Sequence, residues 1–349
     1  MGRALPLMVL LFLLFPRLQD GFFGIKEKPM GVAGFSEKLT PGSVAGLARD
    51  MSTAFRVRFD AALPSAGALY WRGIVFERFD GRSWLPPENP EPDLVSPAAS
   101  QAPGPLVHHT IFLEPHHSQW LFGLDIPVRA GSHARLTSSC TLRSPKKISR
   151  KKIYRVVSVQ APALKGEARP ISIPRQTNPL TRDLARRLTK DAMGPQEKIR
   201  KILDHFKTQN FVYSLSPGRS PDTNSLDYFL TKSKKGYCEH YASAFVFMMN
   251  QVRVPARVVG GYLGGEFNPY GNLLTVRQAS AHAWAEVFVQ GRGWIRMDPT
   301  LAVVPERAFE NPDGSSSRAA APDRLPLSMR LRYMMEAVNL KWETWFTGY

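Results

Sequence analysis

Cysteine is nearly absent from this chain of 349 residues: there are two, Cys140 and Cys238. A disulfide-stapled mini-domain and a four-cysteine zinc site are excluded by that count. A single Cys140–Cys238 bridge is arithmetically open, and the place of Cys238 at the start of a helix argues against it. Acidic residues are also scarce, with 29 Asp and Glu against 46 Lys and Arg, for a formal charge of +17. Solvated surface and proximity to anionic lipid account for such an excess as readily as nucleic acid does. No nucleic-acid motif is present and the aromatics do not interleave with the basic clusters, so no nucleic-acid partner is expected. Internal repeats of fixed period are lacking, and the 26 Gly and 29 Pro cluster locally, which excludes a collagen-like chain. What the chain does have is apolar material, 43% hydrophobic against 21% charged residues. That suits a packed core and excludes both wholesale disorder and a multi-span membrane protein. The length suggests two domains, at about 100–200 residues each.

The two ends carry membrane signals. Residues 1–17 contain an apolar run from Ala4 to Phe15, flanked by Arg3 and by Pro16-Arg17. It is shorter than the about 20 residues a span needs. The readings are an uncleaved export signal or the tail of a longer anchor, and both place the downstream residues outside the cytoplasm. Residues 18–47 read as an extended linker. At the other end, 311–326 reads as a second linker before an amphipathic helix over 327–349. There Tyr333, Met334, Val338, Trp342, Trp345 and Phe346 recur at helical spacing among Arg330, Arg332 and Lys341. A bilayer surface and the protein's own core both suit that pattern.

Between the ends the pattern changes class once. Over 48–160 it is β-rich. Phe55, Val57 and Phe59 alternate with Arg56, Arg58 and Asp60, the mark of a half-buried strand. Residues 69–84 read as two strand segments with an Asp80-Gly81 turn. Seven prolines from Pro86 to Pro105 mark a loop. Strand-like stretches return at 110–113, 120–124 and 154–159. His108-His109 and His116-His117 are adjacent pairs that point to opposite faces of a strand, a poor metal site. The cluster Lys146, Lys147, Arg150, Lys151 and Lys152 reads as a solvated hairpin tip, with a phospholipid-facing patch as the alternative.

Residues 176–310 mix helices and strands, which makes the whole an α+β protein. Two helices are expected over 179–190 and 196–206, broken at Gly194-Pro195, with Leu184, Leu188, Ile199, Ile202, Leu203 and Phe206 on their buried faces. After a Ser- and Lys-rich loop, Gly236-Tyr237-Cys238-Glu239-His240 leads into a helix and puts Cys238 in its first turn. The helix dipole and open backbone N–H groups favour a thiolate there. Residues 255–262 read as a strand followed by a Gly-Gly and Asn-Pro turn region. Ala281–Val289 reads as another strand, turned back by Gly291-Arg292-Gly293 into Trp294–Thr300.

Cys238, His282 on one strand and Asp298 on its hairpin partner give the order nucleophile, base and orienter of a cysteine acyl-transfer site. A three-residue turn at 291–293 places His282 and Asp298 on one face but four positions apart, roughly 13 Å, unless a bulge or twist closes the gap. A metal site through Cys238, His240 and His282 lacks a convincing fourth ligand, and no cofactor is expected.

Four segments occur in one order: Gly-Tyr-Cys-Glu-His-Tyr-Ala-Ser-Ala, Val-Pro-Ala-Arg-Val-Val, Ala-His-Ala-Trp-Ala-Glu-Val and Gly-Trp-Ile-Arg-Met-Asp-Pro-Thr. Together they resemble a bacterial transglutaminase-like core over residues 225–300. The upstream segments Tyr-Trp-Arg-Gly and Phe-Asp-Gly-Arg-Ser-Trp extend the resemblance. They are similar to the extracytoplasmic region of membrane-anchored TgpA-type protein-glutamine gamma-glutamyltransferases. The resemblance implies a papain-like core, in which a helix bearing the cysteine packs on an antiparallel sheet bearing the histidine and aspartate. It also implies a Cys238–His282–Asp298 triad, a protein substrate carrying glutamine, a primary amine acceptor, and a place on the periplasmic side of the cytoplasmic membrane. Arg253-Val254-Pro255 stands where the family usually has Gly-Ile-Pro, and Ala279-Ser280 where it has Ser-Asp. Alternatives on the same triad are a cysteine peptidase, an amidase or a deamidase. A non-enzymatic periplasmic scaffold is the remaining class, which a missing triad member would have favoured.

Overall fold

Alternating burial builds the first strands of the computed structural model, which describes residues 37–42, 44–88, 104–168, 171–305 and 326–346. The apolar segment 4–15, most of the proline-rich loop and the second linker lie outside the described residues. In β1 (Thr53–Phe59) Phe55, Val57 and Phe59 are buried, while Arg58 is exposed and Arg56 pairs with Glu114 at 3.1 Å. By contrast β2 (Tyr70–Phe76) is buried along its whole length, the pattern of a strand covered on both faces. A short hairpin comes next, Arg78–Phe79 against Trp84–Leu85, turning at Asp80-Gly81 with Gly81 at φ +103°. Then come β3 (Leu106–Leu113), β4 (Gly123–Leu124), β5 (Ile126–Ala130) and β6 (Lys152–Val159). The exposed cluster Lys146, Lys147, Arg150 and Lys151 precedes β6, with Ile148 buried among them.

Helices α1 (Pro179–Thr189) and α2 (Pro195–Thr208) start on proline, where the missing N–H costs nothing. The buried face of α2 is Ile199, Ile202 and Phe206, as its spacing predicts. In α1 the expectation holds in part: Leu184 and Leu188 pack against the core but are half-buried, while Thr181, Ala185 and Thr189 are fully buried. The Thr181 N–H and hydroxyl both donate to Asp227 at 2.7 Å, which draws that face inward ahead of α3 (Cys238–Gln251). Helix α3 has all residues from Cys238 to Met249 buried, as befits a helix enclosed on every side.

The remaining strands are β7 (Ala256–Leu263), β8 (Glu266–Asn268), β9 (Leu273–Arg277), β10 (Ala281–Val289) and β11 (Gly293–Met297). They assemble two antiparallel sheets that each draw on both halves of the chain. One is five-stranded, in the order β11-β10-β7-β2-β4; the other is six-stranded, β8-β9-β1-β3-β6-β5. Strands β2 and β4 of the N-terminal region thus complete the sheet that carries His282. In return the β8–β9 hairpin leaves that sheet and pairs with β1. Residues 263–280, read from sequence as a turn region, supply this hairpin.

Gly261 shows how closely β2 docks: a Cβ there would fall 1.8 Å from the Trp71 carbonyl oxygen. Phe55 of β1 and Phe122 meet Trp71 and Tyr262 of the five-stranded sheet with ring centroids 5.1–5.5 Å apart, joining the two sheets through aromatic edges.

Leu39, near the end of the segment expected to be a linker, is buried and bridges to Trp84. The last helix, α4 (Leu327–Phe346), docks on the β8–β9 hairpin. Tyr333 and Ala337 are buried, Asn268 Nδ2 donates to the Tyr333 carbonyl at 2.8 Å, and Glu336 pairs with Arg277 at 3.2 Å. Its other face leaves Leu331, Met334, Met335 and Val338 exposed. Among the described residues no helix is long and apolar enough to cross a membrane.

Candidate active site

The Gly-Tyr-Cys turn before α3 is shaped by a close approach. A Cβ on Gly236 would lie 2.6 Å from the Phe229 ring and 2.8 Å from His240 Cβ, so only glycine passes here. Tyr237 then adopts extended geometry, φ −97° and ψ 173°, and Cys238 becomes the first helical residue. Its backbone N–H is among those an α-helix leaves without an intrahelical partner. His240 Nδ1 accepts from the Tyr237 N–H at 3.2 Å, fixing the turn. Burial lowers the His240 pKa to about 4, which keeps the imidazole neutral and that nitrogen an acceptor. Glu239 is buried too, and Oε1 accepts from the Gly42 N–H at 2.6 Å. Both cysteines are buried thiols, Cys140 in a turn of its own at φ +54°.

His282 is the second residue of β10. Residues on that strand alternate between two environments. Ala281, Ala283, Ala285 and Val287 join the main core with α3, whereas Trp284 belongs to a separate cluster with Tyr70, Val75, Val259 and Leu263. His282 and Trp284 share this second face, and their rings lie nearly parallel, 19° apart, with centroids separated by 6.3 Å. The Tyr237 hydroxyl donates to the Ala281 carbonyl at 3.4 Å. That bond ties the residue before Cys238 to the residue before His282.

Asp298 meets His282 directly: Nε2–H donates to Oδ2 at 2.7 Å, with the two side chains 1% and 3% exposed. The expected four-residue offset is corrected by the turn. Val289 pairs with Gly293, so the turn is 290–292 rather than 291–293, with Gly291 at φ +76° and Gly293 at φ +91°. The register puts Asp298, one residue past the last ladder pair Ala285–Met297, on a diagonal from His282. Diagonal neighbours lie roughly 7–8 Å apart at Cα, within reach of these side chains.

The carboxylate is held from both sides. Oδ1 accepts from the Thr300 N–H at 3.0 Å as Asp298 caps the short helix Pro299–Ala302, and Oδ2 also accepts from the Tyr70 hydroxyl at 2.8 Å. Burial opposes its charge, but His282, Tyr70 and Thr300 outweigh that and hold the carboxyl below its usual range. With Nε2 engaged, the other ring nitrogen of His282, Nδ1, is buried with no hydrogen-bond partner among the described residues.

Tyr70 was not legible as a site residue. Its phenol reaches Asp298 from a position 228 residues away in sequence, and the only signal was its place in the upstream Tyr-Trp-Arg-Gly segment. The adjacent histidine pairs of the N-terminal region lie elsewhere: His109 packs on Phe59 and Trp71, and His116 on Phe122.

Comparison with known proteins defines the class. The TgpA N-terminal domain model matches residues 1–165 and the transglutaminase-like superfamily model matches residues 182–299. The crystal structure of the periplasmic domain of TgpA from Pseudomonas aeruginosa superposes with a TM-score of 0.74 at 36% identity, covering 80% of this chain and 98% of that one. The chain belongs to the TgpA family of transglutaminase-like proteins. A protein-glutamine gamma-glutamyltransferase of P. aeruginosa is 35% identical over 99% of the chain, and the chain spans 54% of that relative's length. YebA, an uncharacterized protein of Bacillus subtilis, is 32% identical over 39% of the chain and 19% of its own length.

Proposed function

We propose that the chain carries a cysteine acyl-transfer site that acts on protein glutamine side chains, with Cys238 as nucleophile, His282 as acid and base, and Asp298 as orienter. The observation that carries this reading is the state of His282: Nε2 is committed to Asp298, and Nδ1 is buried with no hydrogen-bond partner among the described residues, on the strand that the Tyr237 hydroxyl ties, through the Ala281 carbonyl, to the turn before Cys238. In the proposed cycle Nδ1 takes the thiol proton and the Cys238 thiolate attacks the carboxamide carbon. The backbone N–H of Cys238, at the helix N-terminus, faces the developing oxyanion. Imidazolium returns the proton to the leaving nitrogen, ammonia departs and a thioester remains. A primary amine then attacks the thioester, loses a proton to Nδ1, and yields an N-substituted amide with the thiol restored. Asp298 holds the Nε2–H tautomer through both steps and stabilises the imidazolium.

The family relationship supports glutamine as the acyl source and an amine as the acceptor. A position on the periplasmic face of the cytoplasmic membrane is supported by the same relationship and by the apolar run 4–15. The natural substrate is accordingly an extracytoplasmic protein with an accessible glutamine.

The test is incubation of the purified chain with a glutamine-rich acceptor protein and a fluorescent primary amine, beside Cys238→Ala. Labelling by the wild type alone supports the reading. Ammonia release without labelling would replace transfer by deamidation, and equal behaviour of the two proteins would end the enzyme reading.

A further inference from the structure

Strand β2 enters the catalytic sheet from the other half of the chain, and its first residue touches the proposed triad. The Tyr70 hydroxyl and His282 Nε2 both donate to Asp298 Oδ2, while Thr300 N–H serves Oδ1. His282 and Thr300 hold one oxygen each, and the Tyr70 hydroxyl adds a second donor on Oδ2, the oxygen that the imidazole meets. Three donors in different directions fix its plane, and with it the orientation of the imidazole.

Tyr70 is itself held on every side. Its backbone pairs with Leu263, and its carbonyl accepts from the Asp125 N–H at 2.7 Å. Its ring meets Trp284 edge-on at 5.2 Å and His282 at 6.2 Å. The Arg296 guanidinium lies over the ring, 4.2 Å from its centroid, and is anchored by Asp125 at 2.5 Å. We propose that Tyr70, clamped by Arg296 and Asp125, is a positioning residue that orients Asp298 toward His282. The proposal rests on the triad reading of Cys238, His282 and Asp298.

The charged and titratable groups around the Tyr70 phenol are Asp298 just past β11, His282 on β10, Arg296 on β11 and Asp125 between β4 and β5. Burial, with Asp298 beside it, holds the Tyr70 phenol well above its ordinary pKa. It therefore stays a donor at any pH at which the protein works. The N-terminal β-rich region is on this account part of the catalytic machinery rather than an appended module.

The test reads the thiol rather than the substrate. The rate at which iodoacetamide alkylates Cys238 is measured against pH by peptide mass spectrometry, which separates it from Cys140. The proteins are wild type, Tyr70→Phe, Asp298→Asn and the double variant. Tyr70→Phe keeps the buried ring and removes only the hydroxyl. The acid limb of its profile is expected to move up by about one pH unit, because an Asp298 with one donor fewer protonates more readily and holds the imidazolium less well. On any substrate that turns over, kcat is expected to fall about tenfold with KM unchanged, the scale of one hydrogen bond to a charged group. Both effects should vanish when Tyr70→Phe is placed in the Asp298→Asn background. A Tyr70→Phe profile that superimposes on wild type, or a shift that persists undiminished with Asp298→Asn, would overturn the proposal. Failure of the triad reading would look different: His282→Ala would then leave the wild-type alkylation profile unchanged.

Discussion

Two charged clusters lie on one face of β10, with only Trp284 between them. At His282 a ring nitrogen, a carboxylate and a phenol meet. At Glu286 a carboxylate meets two guanidinium groups: Arg72 bonds both oxygens, and Arg257 donates from Nε at 2.9 Å and reaches Glu77 at 2.8 Å. Arg72 also donates to the carbonyls of Asp125 and Ser139, and Arg257 stacks on Trp294 at 4.1 Å. Both clusters are buried, both join β2 to β10, and both hold a carboxylate below its usual range against the cost of burial. They differ in what is left over. Glu286 accepts from two permanent cations and nothing there has a proton to exchange. His282 keeps Nδ1 without a hydrogen-bond partner among the described residues. On the proposed reading, the contrast teaches that burial and charge alone do not mark a catalytic site, and that a ring nitrogen left uncommitted among the described residues is what sets the His282 cluster apart.

Substitution at the two ends of this strand should therefore separate activity from stability. Asp298→Asn preserves shape but presents the wrong partner to the imidazole. It is expected to lower kcat by about 10³–10⁴-fold with a smaller loss of stability than Glu286→Gln, because it faces one imidazole rather than two permanent cations, read by amine incorporation and urea melts. Glu286→Gln should do the reverse. It leaves Arg72 and Arg257 buried without their counter-charge, a loss of about 3–5 kcal/mol, with the folded fraction still active. A Glu286→Gln protein that melts like wild type would erase the distinction drawn between the clusters.

A smaller effect per residue is expected from histidines outside both clusters. Burial holds His109, His116 and His240 at a pKa of about 4. The unfolded chain binds protons at these residues from about pH 6.5 downward, whereas the native state does not until near pH 4. Their contribution is fully present above about pH 6.5 and is lost progressively as the pH falls toward 4. A loss of about 1–3 kcal/mol per residue is expected across that window. Urea midpoints measured between pH 7 and 4.5 check it, and replacing His109 with Gln should flatten the slope.

How much of this was legible in the sequence depends on how local the determinant is. The Gly236-Tyr237-Cys238 turn, the first-turn position of the cysteine and the two flanking strands come from local pattern, and each appears where the residues place it. The hairpin register turned on one residue: whether the turn begins at Gln290 or Gly291 shifts the pairing by two and decides if His282 and Asp298 can meet. The exchange of strands between the halves was not legible. Nothing in Tyr70–Phe76 names β7 as its partner, since β propensity gives a strand without an address. For the same reason the β8–β9 hairpin read as a turn region, although Glu266 and Arg277 pair at 2.8 Å and tie it together. The leucines at helical spacing in α1 end half-buried because the innermost face includes Thr181, whose partner Asp227 lies 46 residues on and is not legible locally.

The central claim is that Cys238 forms an acyl-enzyme with a glutamine side chain. It is tested most directly by incubating the protein with a glutamine-containing peptide in the absence of any amine, quenching in acid, and measuring intact and peptide masses. The account predicts an adduct on Cys238 equal to the peptide less one ammonia, discharged on addition of a primary amine and absent from His282→Ala. An adduct confined to Cys140, or peptide turnover with no covalent species at Cys238 under any quench, would contradict it.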